Sequence, residues 1–243
     1  MLFDIELNDN LKKYELRDLF KEDIPKLVTL FREVFHKDWN EEFWHWFFYE
    51  HPFETFSLSL WDKDRLIGQY CGQKKYVSIN GQKYECVLGS TAILDVDYRG
   101  QGLFIYLAKT MYNLLAEKGF LFFYGYPNEI YNCGLYFKKF SWEFCEKKTM
   151  FIKDLNKNSS FENQSADIFS INKVDELPNS INEIEVNREN GNHIIKNAEY
   201  LNWRFTKHPL NDYELYILKD SNNTLVGYFI TKTFINNENK ILN

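Results

Sequence analysis

The sequence lacks several features that mark particular classes of protein. Lys and Arg number 29 against 35 Asp and Glu, a formal net charge of −6, so the chain has no excess of basic residues for binding nucleic acid. No apolar run approaches the ~20 residues of a membrane-spanning helix. The start, MLFDIELNDN, has neither the basic segment nor the continuous apolar segment of a secretory signal. We therefore expect a soluble, cytoplasmic protein with no nucleic-acid or membrane partner.

Cysteine spacing gives no sign of a metal site. The chain has 4 cysteines, with no CxxC pair and no zinc-type spacing, so we predict no bound metal and reduced, mostly buried thiols. Apolar residues are plentiful instead, at 44%, with 18% aromatic, which is enough for a substantial core. The cysteines are Cys71, Cys86, Cys133 and Cys145.

Apolar periodicity and turn signals predict the element order β-α-α-β-β-β-α-β-α-β over residues 14–155. Asn80-Gly81 is a strong hairpin signal, and Gly119 ends the longest predicted helix. Residues 120–127 are apolar almost throughout, which predicts a strand buried on both faces. The predicted strands are 14–20, 56–62, 65–79, 83–96, 120–127 and 141–155, and the predicted helices are 21–35, 40–52, 102–118 and 128–140.

Part of this pattern recurs later in the chain. HWFFYEHP (45–52) and NWRFTKHP (202–209) share Trp-x-Phe-x-x-His-Pro, and their tryptophans are 157 residues apart. The glycines of the strands that follow, Gly68 and Gly227, are 159 residues apart. Self-similarity at a nearly constant offset indicates a repeated structural unit. We therefore predict a second, partial copy at 168–243, without a counterpart of the stretch considered next.

The stretch DYRGQGLF (97–104) lies between a predicted strand and the longest predicted helix. The first amides of a helix have no intrahelical partner, and the helix dipole adds partial positive charge there. Glycines 100 and 102 let phosphate oxygens approach the backbone, and Arg99 can add a charge-assisted contact. An ordinary strand-to-helix turn uses the same residues, so the stretch alone does not decide between the two interpretations.

In its wider context this stretch resembles the GNAT superfamily of N-acetyltransferases. The pyrophosphate loop of that family is Arg/Gln-x-x-Gly-x-Gly/Ala, between the fourth strand and the third helix. Residues 95–119 match it with Arg99 and Gly102 in register, and depart from it at Phe104, where the family has Gly or Ala.

A second stretch, YPNEIYNCGLYFKKFSWEF (126–144), is similar to another signature of the same family. Ser141 replaces the glycine of that signature. The spacing from the Asn to the Tyr is one residue longer here than in the family. The residues that match are Asn128, Tyr136, Lys138 and Trp142.

The resemblance covers residues 14 to about 155 and implies the GNAT fold, an α/β (α+β) arrangement in which helices flank a mixed, mostly antiparallel sheet. The chain then divides into an acetyltransferase domain at 1–155, an Asn- and Ser-rich linker at 156–167 and the partial copy at 168–243. We expect the partial copy to cover the sheet, to close the acceptor cleft, or to be completed by the partner in a homodimer.

The resemblance implies that acetyl-CoA, the co-substrate, lies across a splayed pair of strands, 85–96 and 120–127. Main-chain groups near Leu94 and Val96 would pair with the pantetheine, and the loop would bind the pyrophosphate. The residues so assigned to the cofactor are Leu94, Val96, Arg99, Gly100, Gln101, Gly102, Leu103, Phe104 and Asn128.

Transfer of an acetyl group to an amine needs a base for the ammonium proton and an acid for the leaving thiolate. The resemblance assigns the acid to Tyr136, with Tyr131 as the alternative, and makes Glu85 the candidate base. A phenol pKa of about 10 suits proton transfer to a thiolate. Packing alone also explains Tyr136, a surface position explains Glu85, and a helix cap explains Asn128.

The cluster FWHWFFYEHP (43–52) falls on the acceptor side of the family's fold. Because Trp-x-Phe-x-x-His-Pro recurs in the half that lacks a cofactor loop, a structural role explains the shared residues best. The aromatic residues of the first copy alone are candidates for an acceptor pocket that stacks on a sugar or another planar group. They are Trp44, Phe47 and Tyr49.

The leading function is transfer of an acetyl group from acetyl-CoA to a primary amine of a small molecule, with an amino sugar or related metabolite as the preferred acceptor. One alternative is a tandem GNAT-like transferase that uses a longer acyl or an aminoacyl donor. The other is a GNAT-fold module that senses CoA or a metabolite without turnover.

Overall fold

The computed structural model has a 7-stranded sheet and, later in the chain, a separate 3-stranded sheet. It describes residues 2–7, 10–126, 133–143, 169–186, 192–235 and 241–242. We refer to the residues up to 143 as the N-terminal unit and to 169–235 as the C-terminal unit. The elements are β1 (Leu2–Leu7), β2 (Asn10–Asp18), α1 (Ile24–Phe35), α2 (Glu41–Tyr49), β3 (Thr55–Asp62), β4 (Arg65–Ile79), β5 (Gln82–Leu94), α3 (Leu103–Glu117), β6 (Phe123–Gly125), α4 (Cys133–Phe140), β7 (Ser170–Val174), α5 (Ile181–Val186), β8 (His193–Ile195), α6 (Ala198–Leu201), β9 (Glu214–Lys219), β10 (Leu225–Thr231), β11 (Phe234–Ile235) and β12 (Ile241–Leu242).

The large sheet runs in the order β1-β2-β3-β4-β5-β6, and β8 of the C-terminal unit also pairs with β4. All of its pairs are antiparallel except β5 with β6, which is parallel. Helices α1 and α2 pack on one face and α3 on the other. The predicted mixed, mostly antiparallel sheet flanked by helices is confirmed.

Local sequence signals account for several element ends. The Asn40 side chain accepts a hydrogen bond from the amide of Phe43 and so caps α2. Asn80 and Gly81 both have positive φ, at 51° and 79°, as the two-residue hairpin between β4 and β5 requires. Gly119 has φ 82° just after α3, where an L side chain would be strained.

The apolar stripe of α3 decides which face of the sheet it covers. Its buried residues recur at helical spacing and pack over β4 and β5, which places the start of the helix at the end of β5. These residues are Leu103, Leu107, Ala108, Met111 and Leu115.

Three predictions differ from the structure. Residues 2–7 form β1, which was not predicted. The strand expected at 120–127 spans only Phe123–Gly125 and is half buried, because the solvent reaches the side chains on either side of it. In the strand predicted at 141–155, residues 141–143 have no regular structure, and the rest of it, like the linker at 156–167, lies outside the described residues.

The two units meet at a pair of tryptophans. The rings of Trp46 and Trp203 stack with centroids 4.5 Å apart and an interplanar angle of 11°. Each indole N–H donates to the other residue's carbonyl oxygen, at 3.1 Å from Trp46 and 3.2 Å from Trp203. His51 packs on Trp203 at 4.3 Å, and His208 packs on Trp46 at 4.5 Å. The contact is therefore reciprocal.

In the described parts of the chain, no helix combines the length and apolar character needed to cross a membrane. Nor do three or more His, Cys, Asp or Glu side chains gather there in a way that can hold a metal ion. Cys71 and Cys86 are free and buried, as predicted.

Candidate active site

The loop from β5 to α3 is fixed by Asp95. Its carboxylate accepts a hydrogen bond from the amide of Asp97 at 3.0 Å and forms a salt bridge with Arg65 at 2.6 Å. The phenol of Tyr98 donates to Asp62 at 2.8 Å. These contacts connect the first turn of the loop to the last residue of β3 and to the first residue of β4. The residues that follow therefore have a defined conformation.

Beyond that turn, the loop offers free backbone amides. Gly100 and Gly102 have φ 77° and 79°, and a Cβ added at either would meet no atom of the described residues within 4 Å, so these residues leave the space beside both glycines open. None of the amides from Gly100 to Phe104 donates a hydrogen bond to another described residue. They lie at the N-terminus of α3, where the helix dipole favours an anion.

The other loop residues leave those amides accessible. Arg99 is exposed, and its Nε lies 3.3 Å from the carbonyl oxygen of Leu94. The Gln101 side chain contacts the carbonyl of Asp97 at 3.3 Å and accepts from Tyr14 at 3.4 Å, and Leu103 is fully buried. The side chains of Gln101 and Leu103 therefore pack back on the protein, whereas Arg99 remains exposed.

Phe104, the departure from the family's loop, also packs inward. Its half-buried ring lies 5.8 Å from Tyr70 and 6.4 Å from Phe140. Because the side chain enters the layer between α3 and the sheet, it leaves its own amide unobstructed. A large residue at this position is therefore compatible with an open loop.

The strand beside the loop is paired on one side over only part of its length among the described residues. β5 pairs with β6 only from Val87 to Gly89, whereas β5 continues to Leu94. No described residue pairs with that side of β5 beyond Gly89. Ser90 is an extra residue in β5, because Gly72 of β4 faces Gly89 and the next partner pair is Cys71 with Thr91.

The bulge at Ser90 changes the direction of the backbone groups. Before it, the amide of Val87 faces the β6 side and donates to Phe122. After it, the amide of Asp95 faces β4 and donates to Ile67 at 2.8 Å. By alternation, the main chain of Leu94 faces the open side. Val96 is exposed and begins the 3-10 helical turn Val96–Tyr98, and its carbonyl accepts a hydrogen bond from the amide of Arg99 at 3.4 Å.

Tyr136 lies in a cluster with Tyr70 and Tyr112, on the α3 side of the sheet. It is buried on α4, and its phenol hydrogen-bonds with that of Tyr70, which in turn lies 2.9 Å from the hydroxyl of Tyr112. Burial raises the pKa of Tyr136, and the hydrogen bond with Tyr70 acts in the opposite direction. The same environment raises the pKa of Tyr112 to about 12. Tyr136 is therefore a neutral proton donor near neutral pH.

Glu85 lies away from the part of β5 beyond Gly89. Its side chain is half exposed, and its carboxylate oxygen is 2.5 Å from Nζ of Lys74. Its carbonyl accepts a hydrogen bond from Leu121 at 3.2 Å, where β5 is still covered by the chain leading into β6. It precedes Gly89 by four residues, roughly 13 Å of strand. This position does not support direct proton transfer at the open edge.

The three aromatic residues predicted to line an acceptor pocket are in different environments. Trp44 is fully buried between α1 and α2, so it supports the core and offers no surface to a ligand. Phe47 is half buried and packs at the edge of the same core. Tyr49 is exposed and lines a pocket between α2, the start of β3 and α3, with Thr55 and Lys118 on its other walls. Asn128 and Tyr131 lie outside the described residues.

Sequence reasoning missed a buried basic group on the α2 face of the sheet. Lys75 is 2% exposed, and its Nζ lies 2.9 Å from Nε2 of His51 and 4.0 Å from the centre of the Tyr200 ring. Burial lowers the pKa of Lys75 to about 7 and, together with the Lys75 charge, that of His51 to about 3. Neither the periodicity of a strand nor the spacing of a motif could predict this cluster. It combines His51 and Lys75 of the N-terminal unit with Tyr200 of the C-terminal unit.

A family model described as an acetyltransferase (GNAT) domain matches residues 15–145, more than half of the chain. The chain belongs to the GNAT acetyltransferase family. No curated protein matches its sequence.

Solved structures of low sequence identity are similar to this chain. A probable N-acyltransferase from Enterococcus faecalis V583 matches 89% of this chain and 54% of its own length, with TM-score 0.64 and 15% identity. This GNAT chain thus spans about half the length of that protein. An aminoglycoside acetyltransferase from an uncultured soil sample matches 59% of this chain and 97% of its own, with TM-score 0.45 and 14% identity. An acetyltransferase from Trypanosoma brucei matches 58% and 99%, with TM-score 0.48 and 15% identity.

Proposed function

We propose that this GNAT chain transfers an acetyl group from acetyl-CoA to a primary amine of a small molecule, by direct attack within a ternary complex. The observation that carries the proposal is the run of amides from Gly100 to Phe104 at the start of α3, which donate to no other described residue, beside the side of β5 that no described residue pairs with beyond Gly89. An anion-binding loop and an unpaired strand edge at one place suit a ligand with a pyrophosphate and an extended, amide-containing arm.

The loop residues fit CoA in two respects. The amides of Gly100, Gly102 and Phe104 supply donors for the pyrophosphate, and the exposed Arg99, whose Nε donates to Leu94, can add a charge-assisted contact through its terminal nitrogens. The main chain of Leu94 supplies the strand edge for the pantetheine, and Val96 begins the turn that follows it. Acetyl-CoA supplies the activated acetyl thioester when it is bound.

Tyr136 is proposed as the acid that protonates the departing thiolate. It holds its proton at neutral pH, and the Tyr70 phenol fixes its orientation through their hydrogen bond. For the base, the salt bridge of Glu85 with Lys74 and its place away from the opening favour removal of the ammonium proton by water. The acceptor amine then attacks from the α2 face of the sheet.

We also propose that the C-terminal unit is a partial copy of the N-terminal one. Asn197 caps α6 by accepting from Tyr200, as Asn40 caps α2 by accepting from Phe43. The order β7-β9-β10 has the same antiparallel pairings as β2-β3-β4. The tryptophans that stack across the contact are 157 residues apart, the same interval as the two caps.

The C-terminal unit places α6 and the π-helical turn Asn202–Thr206 over the α2 face, on the proposed acceptor side. It therefore supplies part of the acceptor site, and a planar acceptor such as an amino sugar suits the rings that meet there. A longer acyl donor would use the same loop and strand edge.

The test uses the purified chain, acetyl-CoA and a panel of primary amines that includes amino sugars and amino acids. Thiol release measures turnover, and calorimetry measures CoA binding. Amine-dependent release of CoA supports the proposal. CoA binding without turnover on any amine would replace it with a sensor, and absence of CoA binding would overturn both.

A further inference from the structure

We propose that the hydroxyl of Thr91 binds the amine of the acceptor, and that the buried side chain of Gln69 is the positioning residue that orients this hydroxyl. The amine donates one N–H to the Thr91 oxygen, and this hydrogen bond fixes the direction of the amine's lone pair. The inference rests on the proposed function for the acceptor being an amine. The hydroxyl and its supporting contacts do not depend on it.

The burial of β5 is interrupted in the middle of the strand. Residues 86–87 are buried before the interruption, and residues 93–94 are buried after it. All of the residues between them, 88–92, are half buried, although β5 lies between β4 and β6 in the order of the sheet. The pairing with β6 ends at Gly89, within this stretch. Thr91 therefore lies on the accessible part of an otherwise buried strand.

The side chain of Thr91 is on the α2 face of the sheet. Ala92 and Leu94 pack in the cluster that contains α3, whereas Ile93 packs in the cluster that contains α1 and α2. Because side chains alternate along a strand, Thr91 is on the same face as Ile93. This is the face from which the acceptor amine is proposed to attack.

Two hydrogen bonds in series orient the Thr91 hydroxyl. Its Oγ1 donates to Oε1 of Gln69 at 2.9 Å, and Nε2 of Gln69 donates to Oγ of Ser57 at 2.9 Å. Gln69 is fully buried, so rotating its amide would cost hydrogen bonds that water cannot replace. Since the hydroxyl hydrogen is held by Gln69, the Thr91 oxygen presents lone pairs to a ligand.

Cys71 also lies beside the Thr91 hydroxyl. It is the cross-strand partner of Thr91 on β4, it is fully buried, and the two side chains hydrogen-bond. A hydroxyl oxygen has two lone pairs, so a contact with one thiol leaves one lone pair for a ligand. An oxygen held as an acceptor suits an amine, whose N–H groups are donors, and does not suit a carboxylate or a phosphate.

The experiment uses fluorine NMR to follow 2,2,2-trifluoroethylamine, a primary amine that its fluorines keep neutral near neutral pH, as the full chain is added. We expect saturable binding, weakened about five-fold or more in Thr91→Val and in Thr91→Ala, because each removes one hydrogen bond. Thr91→Ser keeps the hydroxyl and should restore the affinity. Thr110→Val makes the same change on α3, where the hydroxyl donates to the carbonyl of Tyr106, and should leave the affinity unchanged. No saturable binding to the wild type, or an unchanged affinity in Thr91→Val and Thr91→Ala, would overturn the proposal.

The role of Gln69 is tested by a double-variant cycle in the same titration. Gln69→Met should weaken binding, and Thr91→Val combined with Gln69→Met should bind no more weakly than Thr91→Val alone, because Gln69 acts through the hydroxyl. Circular dichroism checks that each variant folds. Losses that add in the double variant would show that Gln69 acts by another route and would refute its positioning role.

A second measurement separates this proposal from the proposed function. With the amine of the panel that gives the fastest turnover, Thr91→Val should raise the KM for the amine and leave the KM for acetyl-CoA unchanged, and Thr91→Ser should reverse the change. Binding of trifluoroethylamine that depends on Thr91, without acetyl transfer to any amine, refutes the proposed function and supports the role of Thr91. Acetyl transfer with the same kcat and amine KM in Thr91→Val supports the function and refutes that role.

Discussion

The N-terminal and C-terminal units use similar helix endings for the same contact but differ in what surrounds it. Trp46 and Trp203 hold each other reciprocally, and each stacks against the other unit's histidine. Only the N-terminal unit, among the described residues, adds a glycine-bounded loop with free amides at the start of a long helix. The shared residues therefore hold the two units together, and the unshared ones are the candidates for cofactor chemistry.

Removing the tryptophan contact should have the largest effect. Trp203→Ala and Trp46→Ala should each lower the free energy of unfolding by about 3–5 kcal/mol, because each removes a buried ring and one hydrogen bond of the reciprocal pair. Urea unfolding measures the change. The double variant should cost less than the sum of the two, whereas a full sum would contradict a reciprocal contact. Phe229→Ala, at an exposed ring of the C-terminal unit, is the control.

The next largest effect is expected at Tyr136. Tyr136→Phe should lower kcat by about 100-fold, since it removes the acid but keeps the ring, and CoA affinity measured by calorimetry should not change. Tyr112→Phe removes a hydroxyl from the same cluster and should lower kcat much less. Equal losses in the two variants would show that the cluster supports the fold rather than proton transfer.

The glycines that flank α3, Gly102 and Gly119, provide a matched comparison. Gly102→Val should weaken CoA binding by about ten-fold or more, because the new side chain strains the left-handed backbone and occupies the space in front of the amides. Gly119→Val imposes similar strain at the other end of the helix, where φ is 82°, and should leave CoA affinity unchanged. Similar losses of affinity in both would argue against a pyrophosphate site at the loop.

A weaker effect concerns pH and Lys75. Burial lowers the pKa of Lys75 from 10.5 to about 7, so between these values the unfolded chain binds a proton that the folded chain lacks. Stability from this group is therefore greater at higher pH and declines as pH falls toward 7. Urea unfolding measures the difference in free energy of unfolding between the wild type and Lys75→Met. We expect this difference to shift in favour of the wild type as the pH rises from about 7 to about 9. A difference that does not vary with pH would mean that the amine titrates normally.

The smallest effect should be at Glu85. Glu85→Gln breaks a half-exposed salt bridge with Lys74, which contributes at most about 1 kcal/mol, and should change kcat by less than about three-fold. A much larger fall in kcat, with a shifted pH profile, would restore Glu85 as the base.

Sequence reasoning succeeded where the cause is local. Asn40 and Asn80-Gly81 determine element ends through their own side chains and backbone angles, and the loop after β5 is recognisable from its glycines. It failed where the cause is tertiary. The inward packing of Phe104 depends on residues of α4 and β4, and the full burial of Trp44 depends on α1.

The contact of Lys75 with His51 illustrates the same limit. The two residues are 24 positions apart on a strand and a loop, and their surroundings come from α6 and the turn after it. The periodicity of either segment gives no indication of the contact between Lys75 and His51. The tryptophan repeat did indicate two related segments, but not that they would stack on each other.

Calorimetric titration of the wild-type chain with CoA tests the central claim most directly, namely that the loop of the N-terminal unit is the chain's cofactor site. The account predicts saturable binding of one CoA per chain, displaced by adenosine 3′,5′-bisphosphate. No binding, or two equivalents per chain, would contradict it.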